Sequence, residues 1–257
     1  MFETKNIKSR FIKKLLATPL VTIVAFVLLG AGVTFGTIYL GGSGRTGETS
    51  LQKGLVAHWS LDGNAKDSTP YANDGTISGA TSTTDRKGQT DAALNFNGVD
   101  NYVDCGNSAS LKNMGSAVTV AAWAKYNAYG GGGQSYSVIV VKGSPWTFLL
   151  ENPSNKIRFR VTAGGVDANA QDSVAHELNR WYHFVGTYDG ENIRIYKDGV
   201  QVGITPRTGA LGVNDITAKI GTYQGTNYNF NGTLDDVRIY NRALSGDEII
   251  ALYESYQ

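Results

Sequence analysis

The 257-residue chain is poor in several kinds of residue that carry chemistry elsewhere. It has one cysteine, Cys105, so no internal disulfide can form. It has three histidines, His58, His176 and His183, and none lies in a His-Glu-x-x-His string; no Gly-x-Ser-x-Gly is present either. The run Gly130–Gly133 has no Gly-Lys-Ser/Thr behind it and no strand–helix setting, which excludes a phosphate loop and leaves a flexible hairpin tip. Basic charge is scarce where it would matter for nucleic acid. Residues 51–257 hold 17 Lys/Arg against 20 Asp/Glu, and only residues 1–50, with six against two, are basic. A mildly acidic body lacks the electrostatic footprint of a nucleic-acid binder. Charge is missing altogether from Leu15 to Gly44.

That uncharged stretch is the first positive signal. Thr18–Leu40 supplies 23 apolar or small residues, a helix of roughly 35 Å, enough to cross a hydrocarbon core of about 30 Å. No polar stripe marks it as a soluble core helix. Lys5, Lys8, Arg10, Lys13 and Lys14 precede it and only Arg45 and Glu48 follow closely. The positive-inside rule then predicts a basic cytoplasmic head at 1–14, a transmembrane helix at 15–40 and everything beyond outside the cell, at the surface or in the periplasm. A cleaved signal peptide, which would leave the body secreted, is the competing reading, although the apolar run is long and a clean Ala-x-Ala site is missing. Gly32 and Gly36 form a Gly-x-x-x-Gly that suits helix pairing in lipid or is ordinary glycine in a single span. Residues 41–53 open with GGSGRTGETS, a flexible linker by composition.

From residue 54 the texture is short apolar runs separated by turn residues. Lys156–Thr162 alternates, with Ile157, Phe159 and Val161 on one face and Lys156, Arg158, Arg160 and Thr162 on the other. Asp189-Gly190 and Asp198-Gly199 separate runs of strand length, so Trp181–Ile204 is predicted to be a three-strand meander with tight turns. About a dozen such runs without intervening helices predict an all-β, antiparallel two-sheet sandwich over 54–257. Ser245-Gly246-Asp247-Glu248 is a capping box, and Ile249, Ile250, Leu252 and Tyr253 give the short C-terminal helix behind it an apolar face.

Several ordered blocks carry a family pattern. WYHFVGTYDGENIRIYKDGVQVG and FNGTLDDVRIYNRALSGDEIIALY, with GLVAHWSLDGNAKDSTPYANDGTISGA, ALNFNGVDNYVDCGNSASL and AVTVAAWAK before them, resemble the LamG-like jelly-roll family of concanavalin A-like domains. The resemblance covers residues 54–254 and implies a jelly roll. It does not imply one function, because this architecture hosts glycan-binding modules, adhesion domains and enzyme appendages.

The resemblance also implies calcium, held between the first loop and the final hairpin. Ca²⁺ takes six to eight oxygens, and the loop Asp62–Gly75 is rich in Asp and Asn. Carried over, the candidate ligands are Asp67, Asn73 and one of Asp235 and Asp236, since neighbours on a strand face opposite ways. The loop departs from the family at Pro70-Tyr71, and the alternative is that these residues only build turns. Tyr129, Tyr136, Trp146, Tyr223 and Tyr228 lie in stretches that read as loops and are the candidate ligand-binding residues for a sugar, which wants aromatic faces and a few directed hydrogen bonds. Trp59, Trp123 and Trp181 read as core. Glycosidases of this architecture place carboxylates as Glu-x-Asp-x-x-Glu on one strand, and no such string occurs. Cys105 reads as a buried small residue, or as a thiol that pairs between chains.

The sequence therefore predicts a membrane-anchored, extracytoplasmic, non-catalytic binding module. Its partner would be a carbohydrate or surface glycoconjugate, with calcium assisting. The alternative is an adhesion or structural subunit of a surface assembly such as a filament, partnered by another surface protein; the third is an accessory domain of an enzyme system.

Overall fold

Alternation of inward and outward side chains along short strands organises the body of the protein. The structure is a computed structural model that describes residues 23–29, 32–38, 50–128, 135–143, 145–151, 154–223 and 228–255. The chain divides into two units, Met1–Gln52 and Lys53–Gln257. In the first, β1 (Ile23–Leu29) pairs antiparallel with β2 (Gly32–Ile38), in a register running from Ile23↔Ile38 to Leu29↔Gly32. No helix among the described residues is long and apolar enough to cross a membrane. The span predicted over 15–40 thus has extended backbone where it is described; its remaining residues, the basic head and residues 41–49 lie outside the described residues.

The second unit runs β3 (Leu55–Trp59), β4 (Thr76–Ser78), β5 (Thr81–Thr83), β6 (Ala93–Asn97), β7 (Tyr102–Asp104), α1 (Ala109–Lys112) and β8 (Val118–Tyr126). It continues through β9 (Tyr136–Val141), β10 (Trp146–Glu151), β11 (Lys156–Ala163), β12 (Val166–Gln171), β13 (Trp181–Tyr188), β14 (Asn192–Lys197) and β15 (Val200–Pro206). β16 (Lys219–Ile220), β17 (Asn231–Tyr240) and α2 (Gly246–Glu254) complete it. A seven-stranded sheet has the order β12-β11-β10-β9-β16-β7-β4. An eight-stranded sheet has the order β15-β14-β13-β8-β17-β6-β5, with β3 also paired to β17. This is the predicted antiparallel two-sheet sandwich.

The core lies between the sheets. Ile157, Phe159 and Val161 enter it from β11, as their alternation predicts, and Phe148, Phe184, Tyr126 and Trp59 fill it from other strands. Phe148 and Phe159 meet edge to face at 5.5 Å, a favoured aromatic geometry. Gly186 on β13 faces the Phe159 ring, and any Cβ there would overlap it. The meander β13-β14-β15 forms as predicted. At its second turn Asp198 and Gly199 have φ of 50° and 80°, the pair of positive angles a two-residue hairpin turn needs. The capping box at α2 is complete: the Ser245 hydroxyl accepts from the Glu248 amide and the Glu248 carboxylate accepts from the Ser245 amide.

Trp123 is buried as predicted, though beneath α2 rather than between the sheets, and the assignments of Trp146 and Trp181 change. Trp146, a candidate ligand-binding residue, opens β10 opposite Val161 and is wholly buried in the core, because Trp146, Phe148 and Leu150 share the inward phase of that strand. Trp123 and Trp181, read as core, have the opposite phase to the inward Ala122, Ala124 and Tyr182. They lie on the outer face of the eight-stranded sheet, where Tyr253 of α2 stacks on Trp123 at 5.7 Å. Cys105 is a buried free thiol whose titration is pushed up by burial.

Candidate functional site

The outward phase of β9, β10 and β11 builds a groove of about 380 Å³ on the seven-stranded sheet. Val138, Thr147 and Leu149 form its floor, and Arg158, Arg160 and, from β12, Asn169 line it. Tyr136, Tyr223 and Tyr228 complete the wall. Tyr228 is the hinge of the aromatic set: its ring meets Tyr136 at 5.5 Å and 72° and Tyr223 at 6.1 Å and 66°. Its carbonyl accepts from the Val138 amide at 3.2 Å, which ties the loop before β17 to β9. The three rings are half-buried and pack on Val138, Val141 and Leu149. They are thus fixed in place before any ligand arrives, which lowers the ordering cost of binding.

The charges beside the groove are paired along the sheet. Arg158 donates to Glu151 at 2.6 Å, and Gln171 and Ser154 donate to the same carboxylate at 2.8 and 2.9 Å. Burial works to raise the Glu151 titration, but hydrogen bonds from Ser154, Gln171 and Arg158 outweigh it and hold the group ionised below the usual range. Arg160 pairs with Asp167, whose titration is lowered by the Thr162 hydroxyl and by Arg160 itself. The arrangement offers aromatic rings, guanidinium donors and an amide around one concavity, which is the equipment for holding a polar ring-shaped ligand. Among the described residues no carboxylate pair lines the groove.

Of the five predicted ligand-binding residues, Tyr136, Tyr223 and Tyr228 come together here, Trp146 lies in the core, and Tyr129 lies outside the described residues. Arg158, Arg160, Asn169 and Thr147 were not predicted as site residues. The alternation of 156–162 already put both arginines on the outer face. VDANAQ of β12 carries one β-branched residue and gave no strand signal to place Asn169.

The four candidate calcium ligands are engaged with protein donors and cations. The Asp67 carboxylate accepts from the amides of His58, Thr69 and Asn73 and from the Thr69 hydroxyl, at 2.8–3.0 Å. Those four bonds use the four acceptor positions a carboxylate has. The Asn73 side-chain oxygen accepts from Ser108 and Ser110, and its amide nitrogen donates to the Val56 carbonyl at 2.7 Å. β17 bulges at Asp235 and Asp236, the latter with φ of 49°, so both side chains are buried, in separate settings. Asp235 pairs with Arg86; Asp236 accepts from the His58 ring at 2.6 Å and from Arg238 at 3.1 Å. Burial pushes the Asp235 titration up to about 7 against the pull of Arg86, whereas the bonds of Asp236 to His58 and Arg238 outweigh burial and lower its own. Among the described residues no cluster of three or more His, Cys, Asp or Glu side chains is placed to hold a metal. Here the loop and the final strand are joined by a protein chain of bonds, Asp67–His58–Asp236–Arg238. The donor set does not fit a calcium shell, because arginine and histidine stand where cationic charge would sit.

Ser68 extends that chain, with its hydroxyl 2.8 Å from His58 Nδ1. The order serine–histidine–aspartate invites a nucleophile reading, but Asp236 is already neutralised by Arg238, and the assembly clamps the loop to β17. The other two histidines are buried and neutral. Burial lowers His176 to about 4 and His183 to about 3.

Similar proteins agree with this fold. No curated protein matches the chain by sequence. Domain 4 of AbnA, a GH43 extracellular arabinanase from Geobacillus stearothermophilus solved with arabinotriose, superposes with a TM-score of 0.62 at 17% identity, over 77% of this chain and 98% of that one. The binding domain of Paraclostridial Mosquitocidal Protein 1 gives 0.66 at 17% identity, over 79% of this chain and 52% of that one. The binding domain of botulinum neurotoxin DC, solved in complex with SialylT, gives 0.58 at 13% identity over 79% and 52%. The chain thus spans about half the length of the two toxin domains. At these identities the likeness establishes the sandwich and nothing finer. The Laminin_G_3 family model matches residues 97–250, so the chain belongs to that family of the concanavalin A-like lectin/glucanase superfamily.

Proposed function

We propose that the chain is a non-catalytic carbohydrate-binding module, with the tyrosine-lined groove as its binding site and residues 15–40 as its membrane anchor. The observation that carries it is the set of Tyr136, Tyr223 and Tyr228 fixed around one concavity beside Arg158 and Arg160. Two proteins of the same fold, solved with arabinotriose and with SialylT, support the class of ligand. The anchor rests on the uncharged run from Leu15 to Gly44 and the basic residues before it. An open two-stranded pair cannot lie in lipid with its edges unsatisfied, so a bilayer favours the helix for this segment. Calcium has no part in this proposal, since the candidate ligands are already bonded as described.

The test is a glycan array followed by titration calorimetry on the full chain in detergent. Binding of an oligosaccharide that falls about tenfold or more in Tyr228→Ala, a loss of about 1.4 kcal/mol, supports the site. An array with no bound glycan overturns the function, and a bound glycan indifferent to Tyr228→Ala and Tyr136→Ala overturns the site. One observation favours the assembly reading. β15 closes one end of its sheet with Val200 and Ile204 exposed at 65% and 51%, and an open strand edge is a template for pairing. A concentration-dependent dimer abolished by Val200→Lys would support it.

A further inference from the structure

The charged side chains that line the tyrosine groove are Arg158 and Arg160, and each meets a carboxylate. Arg158 donates to Glu151 at 2.6 Å, and Arg160 pairs with Asp167. Ser154 and Gln171 also donate to Glu151, and the Thr162 hydroxyl donates to Asp167. At Glu151 burial opposes ionisation and these bonds outweigh it; at Asp167 the Thr162 bond leads. Both carboxylates titrate below their usual range and keep their charge at neutral pH. Lys156 stands opposite Glu151 at the end of β11, outside the groove lining. The lining thus presents two ion pairs rather than two bare cations.

An acidic ligand that reached either guanidinium would meet an ionised carboxylate beside it, and the repulsion would offset the attraction. A sugar hydroxyl is matched to such a pair, because it both donates and accepts, whereas arginine only donates and a carboxylate only accepts. All four side chains keep part of their surface open, from 19% at Arg158 to 51% at Asp167. The rings carry a second restriction. Tyr228 stands at 72° to Tyr136 and at 66° to Tyr223, so no plane holds all three. The face of a packed polysaccharide is flat and needs coplanar rings to lie on. A groove of about 380 Å³ with an apolar floor of Val138 and Leu149 is instead in the lower part of the range for small-ligand sites, which suits a short segment of one chain.

We propose that the tyrosine groove takes an uncharged oligosaccharide as a single soluble chain, and that it excludes both acidic sugars and the packed faces of insoluble polysaccharide. Adjacent hydroxyls of the sugar bridge the Arg158–Glu151 and Arg160–Asp167 pairs, one accepting from the guanidinium and the other donating to the carboxylate. This inference deepens the carbohydrate-binding reading and rests on it. Because the groups that hold the ligand cancel in charge, its affinity is nearly independent of salt.

The experiment is an array of neutral, sialylated, uronate-bearing and sulfated glycans read with the full chain in detergent. Pull-down on microcrystalline cellulose and crystalline chitin runs beside it, with calorimetry on the strongest array ligand and on tetragalacturonate. The parent, Tyr228→Ala and E151Q/D167N are compared, and circular dichroism checks the fold of each. Expected are Tyr228-dependent signals confined to uncharged glycans, an affinity that changes less than about twofold from about 50 to about 500 mM salt, and retention on neither solid. E151Q/D167N, left with two guanidinium groups that no carboxylate balances, should weaken the neutral ligand and gain tetragalacturonate binding that fades with salt. Tyr228-dependent binding of acidic glycans by the parent overturns the charge assignment, as does an E151Q/D167N that gains nothing for the uronate. Tyr228-dependent retention on cellulose or chitin overturns the single-chain assignment. Each of those results leaves the groove standing as a carbohydrate site. Only a chain that binds no saccharide in any form, or binds it indifferently to Tyr228→Ala, overturns that underlying reading, and this inference with it.

Discussion

On the seven-stranded sheet, β9 and β11 turn Tyr136, Arg158 and Arg160 outward into an open groove. On the eight-stranded sheet, β8 and β13 turn Trp123 and His183 outward and the chain covers them, with Tyr253 of α2 stacked 5.7 Å from Trp123 and 6.0 Å from His183. Both faces obey the same two-residue period. They differ in what becomes of their ionisable groups. In the groove these groups stay near water, in pairs whose disruption costs little. Beneath α2 and along β17, His183, Asp235, Asp236 and Arg238 are buried, where each charge must be neutralised or absent. The ionisable groups of the groove can therefore change at little cost, whereas those beneath α2 and along β17 are tied to the stability of the fold.

The sharpest way to break that contrast is within one strand. Phe159 faces the core and Arg160 the groove. Phe159→Ala should cost about 3–5 kcal/mol, roughly 6–20 °C of melting temperature for a domain of this size. Arg160→Ala should stay within about 1 kcal/mol. Thermal denaturation of the two variants side by side checks it, and equal losses would mean the outer face is not the expendable one. Nearly as large is Asp236→Ala, which removes the carboxylate between His58 and Arg238. Taking one partner from a buried ion pair costs about 3–5 kcal/mol, readable as a shift in denaturant midpoint.

A pH series sharpens the same comparison. His183, buried among Asp236, Arg238 and Arg86, titrates at about 3, and His176, beside Lys197 and Asp172, at about 4. Both pKa values are depressed below the unfolded value of about 6.5, so the unfolded chain binds the proton more readily. Stability from this source is full above about pH 6.5 and falls as the pH drops toward 4 and then 3. Between pH 6.5 and 5 each histidine should cost about 2 kcal/mol. Asp235, raised to about 7, acts in the opposite sense: its neutral form is favoured in the folded state, so it erodes stability as the pH rises from about 4 toward 7. Urea denaturation at pH 5.0 and 6.5 in His183→Gln should show a shallower acid-side decline than the parent. An unchanged slope would show that His183 is already hydrated.

The sandwich was legible in the sequence because its signals are local. Asp198-Gly199 specifies a turn by its own backbone preferences, Ser245 and Glu248 cap α2 across three residues, and the alternation of 156–162 survives intact in β11. The tyrosines of the groove were legible as residues but not as a group, since Tyr136 and Tyr228 meet only through the pairing of distant segments. Trp146 was misplaced by a choice of phase: read from the turn before it, it belongs to a loop, whereas β10 counts it as the first inward position. The bulge at Asp235 and Asp236 was hidden for a related reason. Strict alternation allows one of the two to face inward, and a bulge, which interrupts alternation, buries both.

The smallest expected effect concerns the first loop. Family resemblance predicts calcium at Asp67, Asn73 and the β17 aspartates, and an occupied site of about 0.1 mM affinity would add about 2.7 kcal/mol in 10 mM calcium. In the structure the same side chains make bonds internal to the protein. Asp67 has four donors of its own, and Asp236 has His58 and Arg238. For calcium to bind, the ion would have to displace these groups and leave Arg238 buried beside a second cation, a cost that offsets what coordination returns. Melting the full chain in 10 mM calcium and then in chelator should therefore move the midpoint by less than about 1 °C. His58→Ala should lower the midpoint equally in both buffers, because the clamp between loop and strand is a histidine rather than a metal. A shift of several degrees on chelation, lost in Asp67→Ala, would show that the loop opens to accept the ion and that a metal joins it to β17.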